Sequence, residues 1–169
     1  MTFVPEYYFD SFDVADADFL ESIGIKGIVL DVDNTLEPYE NDLPGERVLS
    51  WLSSLKERGI SASFVSNNGK ERVMLFNASL KLPAFYKAGK PSTKNIKRAM
   101  VRMGTTREDT ILMGDQVYTD VLAAHLAGIR AVLVPPIKDK RDPLTRFKRI
   151  LERPVLKKYK RKNKNASKL

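Results

Sequence analysis

Two carboxylates two residues apart, Asp31 and Asp33, follow a short apolar run in the stretch Lys26-Gly-Ile-Val-Leu-Asp31-Val-Asp33-Asn-Thr35-Leu36. Extended chain points residues i and i+2 to the same side. Both acids can therefore leave a strand end facing one site, with the Thr35 hydroxyl close behind. Two like charges side by side repel, so a positive group is needed there. A divalent cation is the simplest candidate, because carboxylate oxygens are its preferred ligands. Three more polar groups close or follow apolar runs further along: Ser66-Asn67-Asn68, Lys90 within Gly89-Lys90-Pro91-Ser92, and Asp115 within Gly114-Asp115-Gln116.

The elements that must position these groups read from hydrophobic periodicity. Strands are predicted over residues 25–32, 60–66, 84–87, 110–113 and 129–134. Helices are predicted from residue 16, where Asp16 and Asp18 are read as capping acids, and over residues 47–57, 70–80, about 96–103 and 117–126. Gly59 and Gly128 stop two of them, and Pro83 ends a third. Strand and helix alternate, which implies an α/β fold with a Rossmann-like parallel sheet and helices on both faces. In such folds ligands bind outside the carboxyl ends of the strands. All four polar clusters fall at such ends, and that coincidence carries more weight than any one cluster.

In this order the clusters resemble the four motifs of the haloacid dehalogenase (HAD) phosphatase superfamily, over roughly residues 25–134. Asp31-Val-Asp33-Asn-Thr35 matches the first motif, Ser66 the second, Lys90-Pro91 the third, and Gly114-Asp115-Gln-Val-Tyr-Thr-Asp120 the fourth. Ser-Asn-Asn after the second strand and Gly-Lys-Pro-Ser are similar, more narrowly, to the YqeG family. That family belongs to the capless subclass IIIA phosphatases, related to mitochondrial phosphatidylglycerophosphate phosphatases. The resemblance implies Asp31 as nucleophile, Asp33 as general acid and base, and Ser66 as a phosphoryl hydrogen-bonding group. It implies Lys90 as the charge that offsets nucleophile and phosphate. Mg²⁺ would be held by Asp31, Asp115 and the Asp33 backbone carbonyl. Asp120 would orient Lys90 or a metal-bound water, and Thr35 and Asn67 would meet substrate.

The chemistry of phosphate esters gives independent reasons for these types. The ester is shielded by its own charge, so catalysis is mostly positioning and neutralisation. A carboxylate nucleophile splits hydrolysis into two easier steps. Only 34 residues lie between Asp31 and Ser66 and 23 between Ser66 and Lys90, each filled mostly by one predicted helix, so no large cap domain fits. An open site suits a phosphate projecting from something large, such as a lipid surface, a protein or a nucleic acid.

Composition sets the remaining bounds. A chain of 169 residues with 43% hydrophobic and 30% charged residues fits a globular domain. It has no cysteine, which excludes disulfides and thiolate metal sites. No apolar run reaches the roughly 18 residues of a membrane span, and the N-terminus lacks the pattern of a signal peptide. The expected compartment is the cytoplasm. Charge is uneven: residues 138–169 hold 14 Lys/Arg against 3 Asp/Glu, while residues 1–137 hold 15 against 18. The chain therefore divides into a phosphatase domain, 1–137, and a basic C-terminal helix and tail, 138–169, with a helix expected over 143–156. The tail suits peripheral contact with an anionic membrane or nucleic acid, or simply a solvated terminus. The alternative to a phosphatase is thus a nucleic-acid or ribosome-associated binding protein.

Other residues are read as structural. His125, the single histidine, is expected outside the chemistry, and Trp51, Met100, Met103 and Met113 in the packing. Asn67 and Asn68 are candidate helix caps. Glu37 and Tyr39 fall in a loop after the first motif, where substrate contact and plain exposure are equally open.

Overall fold

The computed structural model describes residues 3–138 and 152–159. Six strands form one sheet: β1 (Tyr7–Tyr8), β2 (Gly27–Leu30), β3 (Ser61–Val65), β4 (Ala84–Phe85), β5 (Thr110–Gly114) and β6 (Arg130–Leu133). Their order is β1-β6-β5-β2-β3-β4, and every pairing is parallel. From β2 the chain builds outward to β3 and β4 on one side, then returns to β5 and β6 on the other. The topological switch point thus lies at β2. Leu30 is level with both Phe64 of β3 and Met113 of β5, so three strands end side by side.

Alternation along β2 explains the two helix layers. Ile28 and Leu30 face one core with Leu20, Leu52, Leu55 and Phe76, from α1 (Ala17–Ser22), α2 (Glu46–Glu57) and α3 (Lys70–Phe76). Val29 faces the other, with Ile96, Ala99 and Ala124 from α4 (Lys94–Met103) and α5 (Leu122–Ala127). All four β2 residues are buried. No separate cap lies between the strands and helices that carry the polar clusters. No helix among the described residues is long and apolar enough to cross a membrane.

Three features differ from the sequence expectation. The edge strand β1 was not foreseen; it pairs Tyr7 with Val132, far along the chain. The helix expected over 70–80 stops at Phe76 because the Asn77 side chain ends it, bonding Leu82 through both its carbonyl oxygen and its amide. The segment after β5 opens with a π-helical turn, Val117–Val121, before α5 begins. Such wide turns recur at functional sites, and this one carries Asp120 inward. A Cβ on Gly114 would lie 2.2 Å from the Asp120 carboxyl carbon, so glycine is required where that side chain crosses the strand end.

Part of the basic C-terminal segment is described. A helix over 152–159 packs Val155 and Leu156 against the second core. The expected start of this helix, 143–151, and the tail beyond Tyr159 lie outside the described residues.

Candidate active site

The strand ends gather a small polar cavity of about 100 Å³. Asp31, Asp33, Ser66, Asn67 and Lys90 line it, so five residues singled out from sequence meet in one place. Asn34, Asn68, Gln116 and Thr119 complete the wall. Larger hollows of about 540 and 730 Å³ lie elsewhere, along the β4 edge and beside α2. They lack the paired acids that line the smaller cavity.

Lys90 organises the first half of the site. Its side chain is 2% exposed, and its Nζ lies 2.8 Å from Asp31 Oδ1 and 2.7 Å from Asp120 Oδ1. Burial alone would push the ammonium towards neutrality, but Asp120 and Asp31 outweigh it and raise its pKa. The lysine therefore stays charged. Asn67 fixes the loop that delivers it: Lys90 N donates to Asn67 Oδ1 at 2.7 Å, and Asn67 Nδ2 donates back to Lys90 O at 3.4 Å.

Asp31, Asp115 and Asp120 offer carboxylate oxygens within 4.8 Å of one another, all buried. Three acids around one lysine leave an excess of negative charge. Burial pushes the Asp31 carboxyl up to about 7; Lys90 opposes this, while Asp120 and Asp115 add to it. Hard oxygen donors with unbalanced negative charge are what Mg²⁺ or a similar cation takes, so the residues present fit a divalent metal. The Asp33 carboxylate is not in this cluster.

Asp33 belongs to a second half. Asn68 Nδ2 donates to its Oδ2, and Arg72 Nε donates to its Oδ1 at 2.9 Å. The Arg72 guanidinium lies 5.8 Å from the Tyr39 ring centroid and 5.5 Å from that of Phe76, and it reaches towards Asp42. Arg72 escaped the sequence reading. It sits in the first turn of α3, directly after the Ser66-Asn67-Asn68 strand end, and that position was the available signal.

Of the remaining expectations, some change and some hold. Neither asparagine caps α3, whose N-cap is Gly69 without a side-chain bond; each instead holds a site residue. Thr35 is 1% exposed and does not line the cavity, and its hydroxyl has no hydrogen-bond partner among the described residues. Glu37 ties its own loop, accepting from Gly45 N at 2.9 Å and Asn41 Nδ2 at 2.8 Å. Tyr39 is half exposed. His125 lies away from the cavity, 3.2 Å from Glu6. Trp51 packs against Phe12 and donates to Ala15 O at 3.0 Å. Asp16 caps α1 by accepting from Phe19 N.

A further buried acid was missed. Glu152, 4% exposed, accepts from Val117 N at 3.0 Å, at the start of the turn that carries Asp120.

A HAD-hydrolase-like family model matches residues 87–156. The chain is 37% identical over 160 residues to the probable phosphatase YqeG of Bacillus subtilis (strain 168), covering 95% of this chain and 93% of that protein. It is 27% identical over 134 residues to phosphatidylglycerophosphate phosphatase 1, chloroplastic, of Chlamydomonas reinhardtii, covering 73% of this chain and 49% of that protein. Among solved structures, the cobalt-bound deoxy-D-mannose-octulosonate 8-phosphate phosphatase YrbI of Haemophilus influenzae shares the fold. The TM-score is 0.55 at 21% identity, over 69% of this chain and 81% of that one.

Proposed function

We propose that this chain, which belongs to the HAD-like hydrolases and within them to the YqeG family, hydrolyses phosphate monoesters in two steps through an aspartyl-phosphate on Asp31. The observation that carries this reading is the buried Asp31–Lys90 contact at the edge of a cavity that Asp33 also lines.

In the first step an Asp31 oxygen attacks phosphorus and the ester P–O bond breaks. The leaving oxygen takes a proton from Asp33. In the second step Asp33 takes a proton from water, the water oxygen attacks phosphorus, and the Asp31–phosphorus bond breaks. Inorganic phosphate leaves and both carboxyls return to their starting state. Lys90, held by Asp120, offsets the charge of nucleophile and phosphoryl group throughout. The Ser66 hydroxyl lines the cavity and supplies a hydrogen bond to a phosphoryl oxygen. Asp31 and Asp115, with the Asp33 carbonyl, are the residues that would hold Mg²⁺, and Asp120 lies in the same cluster. When bound, the cation supplies charge neutralisation at the phosphoryl oxygens.

The proposed substrate is a phosphate projecting from a large molecule, in the first instance a lipid phosphomonoester such as phosphatidylglycerophosphate. The uncapped cavity and the likeness to the chloroplast enzyme support that choice. A pure binding module would have no use for buried acids converging from two neighbouring strand ends.

The test is release of inorganic phosphate by the full chain from an aryl phosphate and from a panel of lipid, nucleotide and sugar phosphates. Mg²⁺-dependent turnover, abolished by EDTA and highest on the lipid, is expected. Turnover that survives exhaustive chelation would remove the metal. A nucleotide or sugar phosphate as the best substrate would remove the lipid.

A further inference from the structure

Charge is segregated within the domain as well as towards its tail. Residues 1–71 contain 14 Asp/Glu and 5 Lys/Arg, whereas residues 72–107 contain nine Lys/Arg and no acid at all. The fold collects much of the second stretch on one edge. Lys94, Lys97, Arg98 and Arg102 are exposed along α4, and Lys81 and Lys87 are exposed beside the outermost strand, β4. None of these six forms an ion pair among the described residues. On the acidic side the pattern is opposite: exposed Arg47 lies 2.6 Å from Asp13, and Arg58 lies 2.8 Å from Asp18.

The same edge carries apolar groups at the level of its cations. Val101 is 80% exposed between Arg98 and Arg102, and Tyr86 is 38% exposed. Lys81, Arg98 and Arg102 rim a groove of about 540 Å³, floored by Phe85 and Tyr86. Lys87 and Lys94 flank Lys90 in the chain, so the cationic edge runs up to the strand ends where the cavity opens.

We propose that this α4–β4 edge is the surface by which the enzyme lies on an anionic lipid bilayer. It rests on the phosphatase reading in one respect, that a lipid phosphate presented there would reach the cavity without leaving the membrane. Unpaired Lys and Arg beside small apolar and tyrosine side chains suit the headgroup boundary. Single-stranded nucleic acid stacks on aromatic faces, and on this edge the Phe85 face is taken by the Arg98 guanidinium, 4.9 Å from its centroid, which leaves Tyr86 alone.

The chain has no cysteine, so a single introduced thiol can carry an environment-sensitive dye. The full chain labelled at Val101→Cys is titrated with vesicles of phosphatidylcholine, with and without phosphatidylglycerol. Val14→Cys, exposed on the acidic side, is the control. A blue shift at 101 with anionic vesicles only, and none at 14, is expected. Lys81→Gln, Arg98→Gln and Arg102→Gln together should raise the vesicle concentration for half the shift about a hundredfold. Aryl-phosphate turnover should not change, because none of the three lines the cavity. Equal shifts at 101 and 14, no shift at 101, or an unmoved midpoint in the triple variant would overturn the proposal. A shift with oligouridylate but not with vesicles would overturn it in favour of nucleic acid. Failure of aryl-phosphate hydrolysis by the unsubstituted chain would sink the phosphatase reading and leave the dye measurement standing.

Discussion

Asp31 and Asp33 leave the same strand end two residues apart, yet they live in opposite electrostatic surroundings. Asp31 shares one lysine with Asp120 in a crowd of acids, and burial with those neighbours raises its pKa to about 7. Asp33 is gripped by an arginine and an asparagine, both donating to it. The first half of the site is short of positive charge, with three buried acids around one lysine. The second half is already satisfied. The difference suits the two proposed roles: a bound cation would ready Asp31 as nucleophile, whereas Asp33 is held in a fixed orientation for acid–base work. It also sets a requirement. Both Asp33 oxygens already accept hydrogen bonds, so one donor must give way if Asp33 is to present an oxygen to the leaving group.

The contrast breaks most visibly at the nucleophile. Asp31→Asn should lower phosphate release by at least about 10⁴-fold, to background. Asp33→Asn should cost roughly 10²–10⁴-fold. With an aryl phosphate, whose leaving group needs little protonation, the Asp33 variant should accumulate phosphorylated chain, visible by intact mass. A phosphorylated species in Asp31→Asn, or near-normal turnover, would reverse the assignments. Lys90→Ala should lower kcat/KM by roughly 10²–10³-fold, and Lys90→Arg should recover only part, because a guanidinium fork does not replace a compact charge between two carboxylates. Full activity in both would reduce Lys90 to a structural residue.

Stability in EDTA sharpens the comparison by sign. Asp31→Asn relieves repulsion and should raise Tm, with Mg²⁺ then stabilising the variant less than the native chain. Asp33→Asn takes the nearer, buried counter-ion from the Arg72 guanidinium and should destabilise by about 1–3 kcal/mol. Thermal melts with and without metal read both, and shifts of the same sign would show the two halves to be electrostatically alike. The smallest effect is expected at Arg72. Arg72→Lys should slow kcat several-fold with KM little changed, and Arg72→Met should do more. A change confined to KM would make Arg72 a substrate contact instead of a holder of Asp33.

Legibility in the sequence tracked how locally each feature is specified. Asp31, Ser66 and Asp115 end apolar runs that become β2, β3 and β5, and a parallel register puts such ends together whatever the details. Lys90 could be read because a turn before a helix places it at the same end. Arg72 offered only its position in the first turn of α3 as a signal, since its reach back to Asp33 depends on where α3 docks. Asn67 and Asn68 looked like caps because asparagine usually caps. Their actual partners, the Lys90 backbone and the Asp33 side chain, lie 23 and 35 residues away. Strand β1 is two tyrosines long, and only its pairing with Val132 and Leu133 makes it a strand.

The helix over 152–159 reaches back twice, through Glu152 to Val117 N and through the Tyr159 hydroxyl, which accepts from Tyr8 N at 3.0 Å. Chains emerge from the ribosome in order. The strand ends bearing Asp31, Ser66 and Lys90 can assemble before residue 152 has been made, but the turn bearing Asp120 gains its Glu152 anchor only after that. The residue that completes the lysine's ion pairs is therefore set after the others, and a growing chain would hold Asp31 beside an unanchored Asp120 turn until the helix over 152–159 is out. A shortened chain inherits that condition: one cut before Glu152 lacks the anchor of the Asp120 turn.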